Sequence, residues 1–116
     1  MFPKKQKKRK ARNYRFDPPK KVNGYTPCLN ESCFFTEMPA ERCAVHHVYF
    51  GNDRKKSETW GMKVYLVPHW HLDTKHSVHM NIETDRLVKR FAQKEFERMY
   101  DHEFFIEIFG QENDVL

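Results

Sequence analysis

The sequence predicts a small α+β domain, on three observations. Two short segments rich in β-branched and aromatic residues, AVHHVYF (44–50) and GMKVYLVP (61–68), read as strands. A histidine-rich turn or short helix follows at HWHLDTKHSVHMN (69–81). An amphipathic stripe then runs from about Thr84 to Tyr100. Strands followed by helices, rather than alternating with them, give the α+β class.

The chain of 116 residues suits one small domain plus at most a tail. Charge divides it. Residues 1–21 hold ten Lys and Arg against one acid, a formal +9. Residues 22–116 hold eleven basic and fifteen acidic residues, a formal −4. A single-signed run of this kind buries no apolar area and is expected to be disordered alone. Its cations, Lys4, Lys5, Lys7, Lys8, Arg9, Lys10, Arg12 and Arg15, suit counterion release from nucleic-acid phosphates. Tyr14 and Phe16, interleaved with them, suit stacking on bases. The plainer reading is a solubilising tail.

FDPPKKVNGYTP reads as an extended linker, stiffened by Pro18–Pro19 and turned at Asn23–Gly24. The expected division is a basic arm and linker over 1–24 and a folded domain over 25–116. From Cys33 to Val45 the pattern is loop-like, broken by Pro39. Ten Phe, five Tyr and two Trp supply a core despite the polar average.

In the long helix, Leu87, Val88, Phe91, Ala92, Phe96, Met99 and Tyr100 share one stripe, with Asn81 or Thr84 as the cap. Asp101 caps a second, short helix, HEFFIEIF, which Gly110 closes. No apolar run approaches the ~20 residues that span a bilayer. The basic start lacks the apolar stretch of a signal peptide, so a cytoplasmic protein without disulfides is expected.

Six of the seven histidines lie between residues 46 and 79. Such a cluster around two strands and a turn has the composition of a metal or acid–base site. Neighbours in a strand point to opposite faces, so His46 and His47 are set two different tasks. Phosphodiester hydrolysis has two such tasks. A cation stabilises developing charge, and a neutral imidazole activates water near pH 7.

AVHHVYFGNDRKKSE, GMKVYLVPHWH and SVHMN together resemble the HNH (ββα-metal) endonucleases, most closely the small bacteriophage-encoded proteins related to phage recombination nucleases. The resemblance covers roughly residues 33–110. It implies a ββα-metal core followed by a long and a short helix, and a DNA endonuclease active in recombination or processing. It makes His46, His71 and His79 ligands of one divalent ion, Mg²⁺, Mn²⁺, Zn²⁺ or Ni²⁺, and His47 the general base. Arg54, Lys55 and Lys56 would grip the DNA backbone, and Ser57 or Glu58 would orient neighbours. For a phage-encoded protein the compartment would be the bacterial host cytoplasm.

Two departures stand out. Met62 falls near the middle Asn of the HNH name. Relatives often carry a structural zinc on two C-x-x-C or C-x-x-H pairs, but here these read Cys33-Phe34-Phe35-Thr36 and Val67-Pro68-His69-Trp70. No structural zinc is therefore expected, and Thr36, Val67 and Trp70 should pack as core, with Phe34 and Phe35 completing a hydrophobic plug. The alternative is a zinc on Cys28, Cys33 and Cys43 with a histidine. DNA is the partner implied, with a second copy of the chain or a host protein as further candidates. The competing functions are a DNA-binding protein without catalysis and a phage protein directed at a host protein.

Overall fold

A computed structural model describes residues 14–110. Strand β1, Ala44–His47, pairs antiparallel with β2, Lys63–Leu66, in the register Ala44↔Leu66, Val45↔Tyr65, His46↔Val64 and His47↔Lys63. Strand alternation gives the hairpin two faces. His46, Val64 and Leu66 are buried on the inner one, while Val45 and His47 share the outer one with Tyr65 and Lys63.

The first difference from the sequence reading lies between the strands. RKKSE, which reads as a basic loop segment, opens helix α1, Arg54–Trp60. Its short length hides any stripe, yet Ser57 and Trp60 are buried. Gly61 ends it in the left-handed region, φ 71°, where a Cβ would come within 3.3 Å of the Pro27 carbonyl oxygen. Pro68 then starts the one-turn helix α2, Pro68–His71, where a missing N–H costs nothing.

Helix α3 spans Ile82–Met99, beginning slightly before the expected start. Asn81 caps it, its side chain accepting from the N–H groups of Glu83 and Thr84. Val88, Ala92 and Phe96 are its buried face; Leu87 and Met99, expected on the stripe, are exposed. Helix α4, His102–Phe109, is capped by Asp101 and closed by Gly110 at φ 65°. It buries Phe104, Phe105, Ile108 and Phe109 against Phe96, Trp60 and Tyr49. Each such side chain removes apolar area worth ~1.5–3 kcal/mol.

The expected boundary near Tyr25 is too late. Tyr14 packs edge-on against Trp60 and Phe104, with centroids at 5.4 and 5.9 Å. Phe16 meets Phe104 at 5.1 Å and Tyr100 at 5.3 Å. The rings expected to stack on bases thus belong to the aromatic core, which offers them more apolar contact than solvent does. Lys4, Lys5, Lys7, Lys8, Arg9, Lys10 and Arg12 lie outside the described residues, as does the C-terminal end of the expected domain.

The plug forms only in part. Phe35 stacks on Trp70 at 4.4 Å, and Phe34 meets Phe91 at 4.9 Å. Val67 is half-buried and Thr36 is exposed. The Thr36 hydroxyl instead accepts the Met38 N–H at 3.2 Å, and the Cys33 sulfur accepts the Val67 N–H at 3.5 Å. Cys28, Cys33 and Cys43 are all free thiols. Among the described residues no helix is long and apolar enough to cross a membrane.

Candidate metal centre

Three elements each deliver one imidazole to a common point. β1 supplies His46, the end of α2 supplies His71, and the turn before α3 supplies His79. One nitrogen from each ring lies within 4.8 Å of the other two. His71 and His79 approach with Nε2 atoms 3.1 Å apart. Two ligands ~2.0–2.1 Å from a tetrahedral ion would stand ~3.3 Å apart, so this separation already suits coordination.

The turn that makes this possible is tightly built. The seven residues between His71 and His79 rule out successive turns of one helix. Val78 N–H donates to the Trp70 carbonyl at 2.8 Å and Asn81 N–H to the Ser77 carbonyl at 2.8 Å. Ser77 is buried, its hydroxyl donating to the Thr74 carbonyl at 2.7 Å. The chain reverses between these bonds and returns His79 beside His71.

His46 tests whether the site fits an ion. It is 1 % exposed, and its Nε2 has no hydrogen-bond partner among the described residues. A buried nitrogen of this kind costs stability unless something occupies it. Burial first, then His79, His71, His47 and Lys89, push its pKa down to about 3. Burial and His79 also lower His71, against Asp73. Neutral imidazole is the form a metal needs. Three nitrogen donors with room for further ligands suit a transition ion such as Zn²⁺ or Ni²⁺ better than Mg²⁺, which prefers oxygen.

His47 stands apart from these three, on the outer face of β1. Its Nε2 is 3.0 Å from Glu58 Oε1. The other Glu58 oxygen accepts from Lys63 Nζ at 2.9 Å and from Thr26 Oγ1 at 3.2 Å. Burial raises the Glu58 carboxyl, but hydrogen bonds from Lys63, His47 and Thr26 and the Lys63 charge overcome it, holding it at about 2. Of the two candidate orienting residues, Glu58 takes that place. Ser57 instead bonds the backbone of Tyr49 in both directions, at 3.1 and 2.6 Å.

The remaining expected contacts separate. Arg54, Lys55 and Lys56 lie exposed on the first turn of α1, with Lys56 3.5 Å from Asp53. Arg15, expected to meet DNA, instead pairs with Asp101 at 2.8 Å and lies over the Phe16 and Phe104 rings. Lys89 is a cation the sequence reading missed. It pairs with Asp85 at 2.8 Å and sits 5.0 Å from the Phe50 ring, itself 5.1 Å from His79. The Asp85–Lys89 spacing was a visible helical pair, but nothing in the sequence placed it by the histidines.

Comparison with family models, curated proteins and solved structures finds no match for the chain.

Proposed function

We propose that the chain is a metal-dependent DNA endonuclease of the HNH kind, with His46, His71 and His79 holding one divalent ion and His47 as general base. The convergence of three imidazoles, one buried with an orphaned nitrogen, carries the reading. An ion bound there would stabilise charge on the phosphoryl oxygens. His47 uses Nε2 for Glu58, which leaves Nδ1 to take a proton from water. Glu58, ionised throughout the neutral range, fixes that tautomer and stabilises the imidazolium as it forms. Because His46 and His47 leave β1 on opposite faces, the attacking water belongs at the edge of the hairpin, between the two rings. Arg54 and Lys55 would hold flanking phosphates.

One observation favours a second reading, a DNA-binding protein that keeps the metal but does not cut. His47 is turned toward Glu58, away from the three other rings. A plasmid-nicking assay with Mg²⁺, Mn²⁺, Ni²⁺ and Zn²⁺ separates the two. The endonuclease reading expects nicking by the native chain with at least one ion. His47→Ala should lower the rate ~10²–10⁴-fold while metal still binds, and His71→Ala should lose both. Supercoiled plasmid left intact by a protein that binds both zinc and DNA would establish the second reading instead.

A further inference from the structure

The outer face of the hairpin carries a cavity of about 600 Å³ that the metal centre does not use. That volume lies within the ~300–1,000 Å³ typical of small-ligand sites. Its lining includes Tyr25, Val45 and Tyr65 together with His47, Glu58 and Arg54.

Local structure sets the aromatic wall firmly. Val22 and Tyr25 exchange both backbone hydrogen bonds, at 2.7 and 3.1 Å, across Asn23 (φ 53°) and Gly24 (φ 86°). Positive φ at both central residues makes this a tight I′ turn, the reason for Asn-Gly here. Tyr25 is 67 % exposed and Val45 44 % exposed, so neither is present chiefly to stabilise the fold. Lys63 Nζ lies 6.0 Å from the Tyr25 ring, but its charge is already met by Glu58. Arg54 makes no ion pair among the described residues, leaving positive charge in the cavity lining of a domain that is acidic beyond its arm.

We infer that this cavity is a nucleotide subsite, taking one unpaired base between Tyr25, Val45 and Tyr65 with its phosphate on Arg54. An aromatic wall accepts the flat face of any base. Arg54, in the same lining, supplies a cation for the phosphate. A purely apolar peptide would leave the Arg54 charge without a counterpart. A base within a duplex stack reaches a pocket only by unpairing and flipping out, so single-stranded, frayed or branched DNA is the favoured ligand. The inference rests on the endonuclease reading for its choice of DNA, and it places the bound nucleotide directly beside His47.

The test uses the full chain in EDTA, where no metal-dependent cleavage intervenes. Fluorescence anisotropy measures affinity for a short oligothymidylate, for an abasic strand of equal length, and for a duplex. The native chain should bind the oligothymidylate about tenfold more tightly than the abasic strand. Tyr25→Ala should remove most of that difference and leave abasic and duplex binding unchanged. Val45→Met, at an exposed position, should do the same by filling the cavity without changing its charge. Equal affinity for the thymidylate and abasic strands would overturn the subsite, as would equal losses on all three ligands. Base-dependent binding in a protein that never nicks plasmid would leave the subsite standing and remove the nuclease reading; nicking without base dependence would do the reverse.

Discussion

Removing the Glu58 carboxylate would strand a buried ammonium. Lys63 has a side chain only 4 % exposed, and its Nζ rests on Glu58 Oε2 at 2.9 Å. Breaking a buried pair from one side costs ~3–5 kcal/mol. Glu58 is about a third exposed, so water can reach part of the vacated space, and Glu58→Ala should cost ~2–3 kcal/mol. In a domain of this size, ~1 kcal/mol moves the melting temperature by ~4–8 °C, so the loss should be roughly 10–20 °C. Lys63→Met should then rescue. The double variant should be more stable than Glu58→Ala alone, with a coupling of at least ~1 kcal/mol in the cycle. The pH profile gives a second readout. Glu58 is held at about 2, below its ordinary 4.5, so its contribution is complete above about 4.5 and drains away as pH falls toward 2. Thermal or urea melts of the four chains across that range make the measurement. Additive losses, with no rescue by Lys63→Met, would refute the buried charge chain and the anchoring of His47 that depends on it.

Zinc at a hundred times its dissociation constant should stabilise the native chain by ~2.7 kcal/mol, read as a thermal shift that His79→Ala removes. At pH 6 His46, held at about 3 chiefly by burial, gives up no proton to the ion. Deleting residues 1–13 should leave the melting temperature within a few degrees of native while flattening the salt dependence of duplex binding, by ~0.9 in log–log slope for each phosphate that the arm had neutralised. Deleting 1–21 should also destabilise the fold by ~2 kcal/mol or more, because it takes Tyr14 and Phe16 out of the aromatic core. Calorimetry and binding titrations on the two shortened chains distinguish these outcomes.

Short-range patterns carried the fold a long way. The hairpin, the Asn81 and Asp101 caps and the Gly110 stop were all legible because each depends on residues within a few positions. Helix α1 was hidden because seven residues are too few to show a stripe and its first turn is all charge. Tyr14 and Phe16 misled because local basic composition outweighed two rings whose partners lie more than forty residues away. In the candidate site, the convergence of His46, His71 and His79 followed from a resemblance in ordered motifs, not from periodicity. The face-to-face placement of Glu58 with His47 and Lys63 follows from strand register and from α1 lying across the hairpin, which no single-sequence pattern encodes.

The claim on which the functional account turns is that His46, His71 and His79 coordinate one metal ion. X-ray absorption spectroscopy of the zinc-loaded chain tests it most directly. One zinc per chain is expected, with three imidazole nitrogens at ~2.0–2.1 Å, water in the fourth position, and loss of one imidazole in each of His46→Ala, His71→Ala and His79→Ala. A zinc shell containing sulfur from Cys28, Cys33 or Cys43, or an unchanged imidazole count in those three variants, would contradict it.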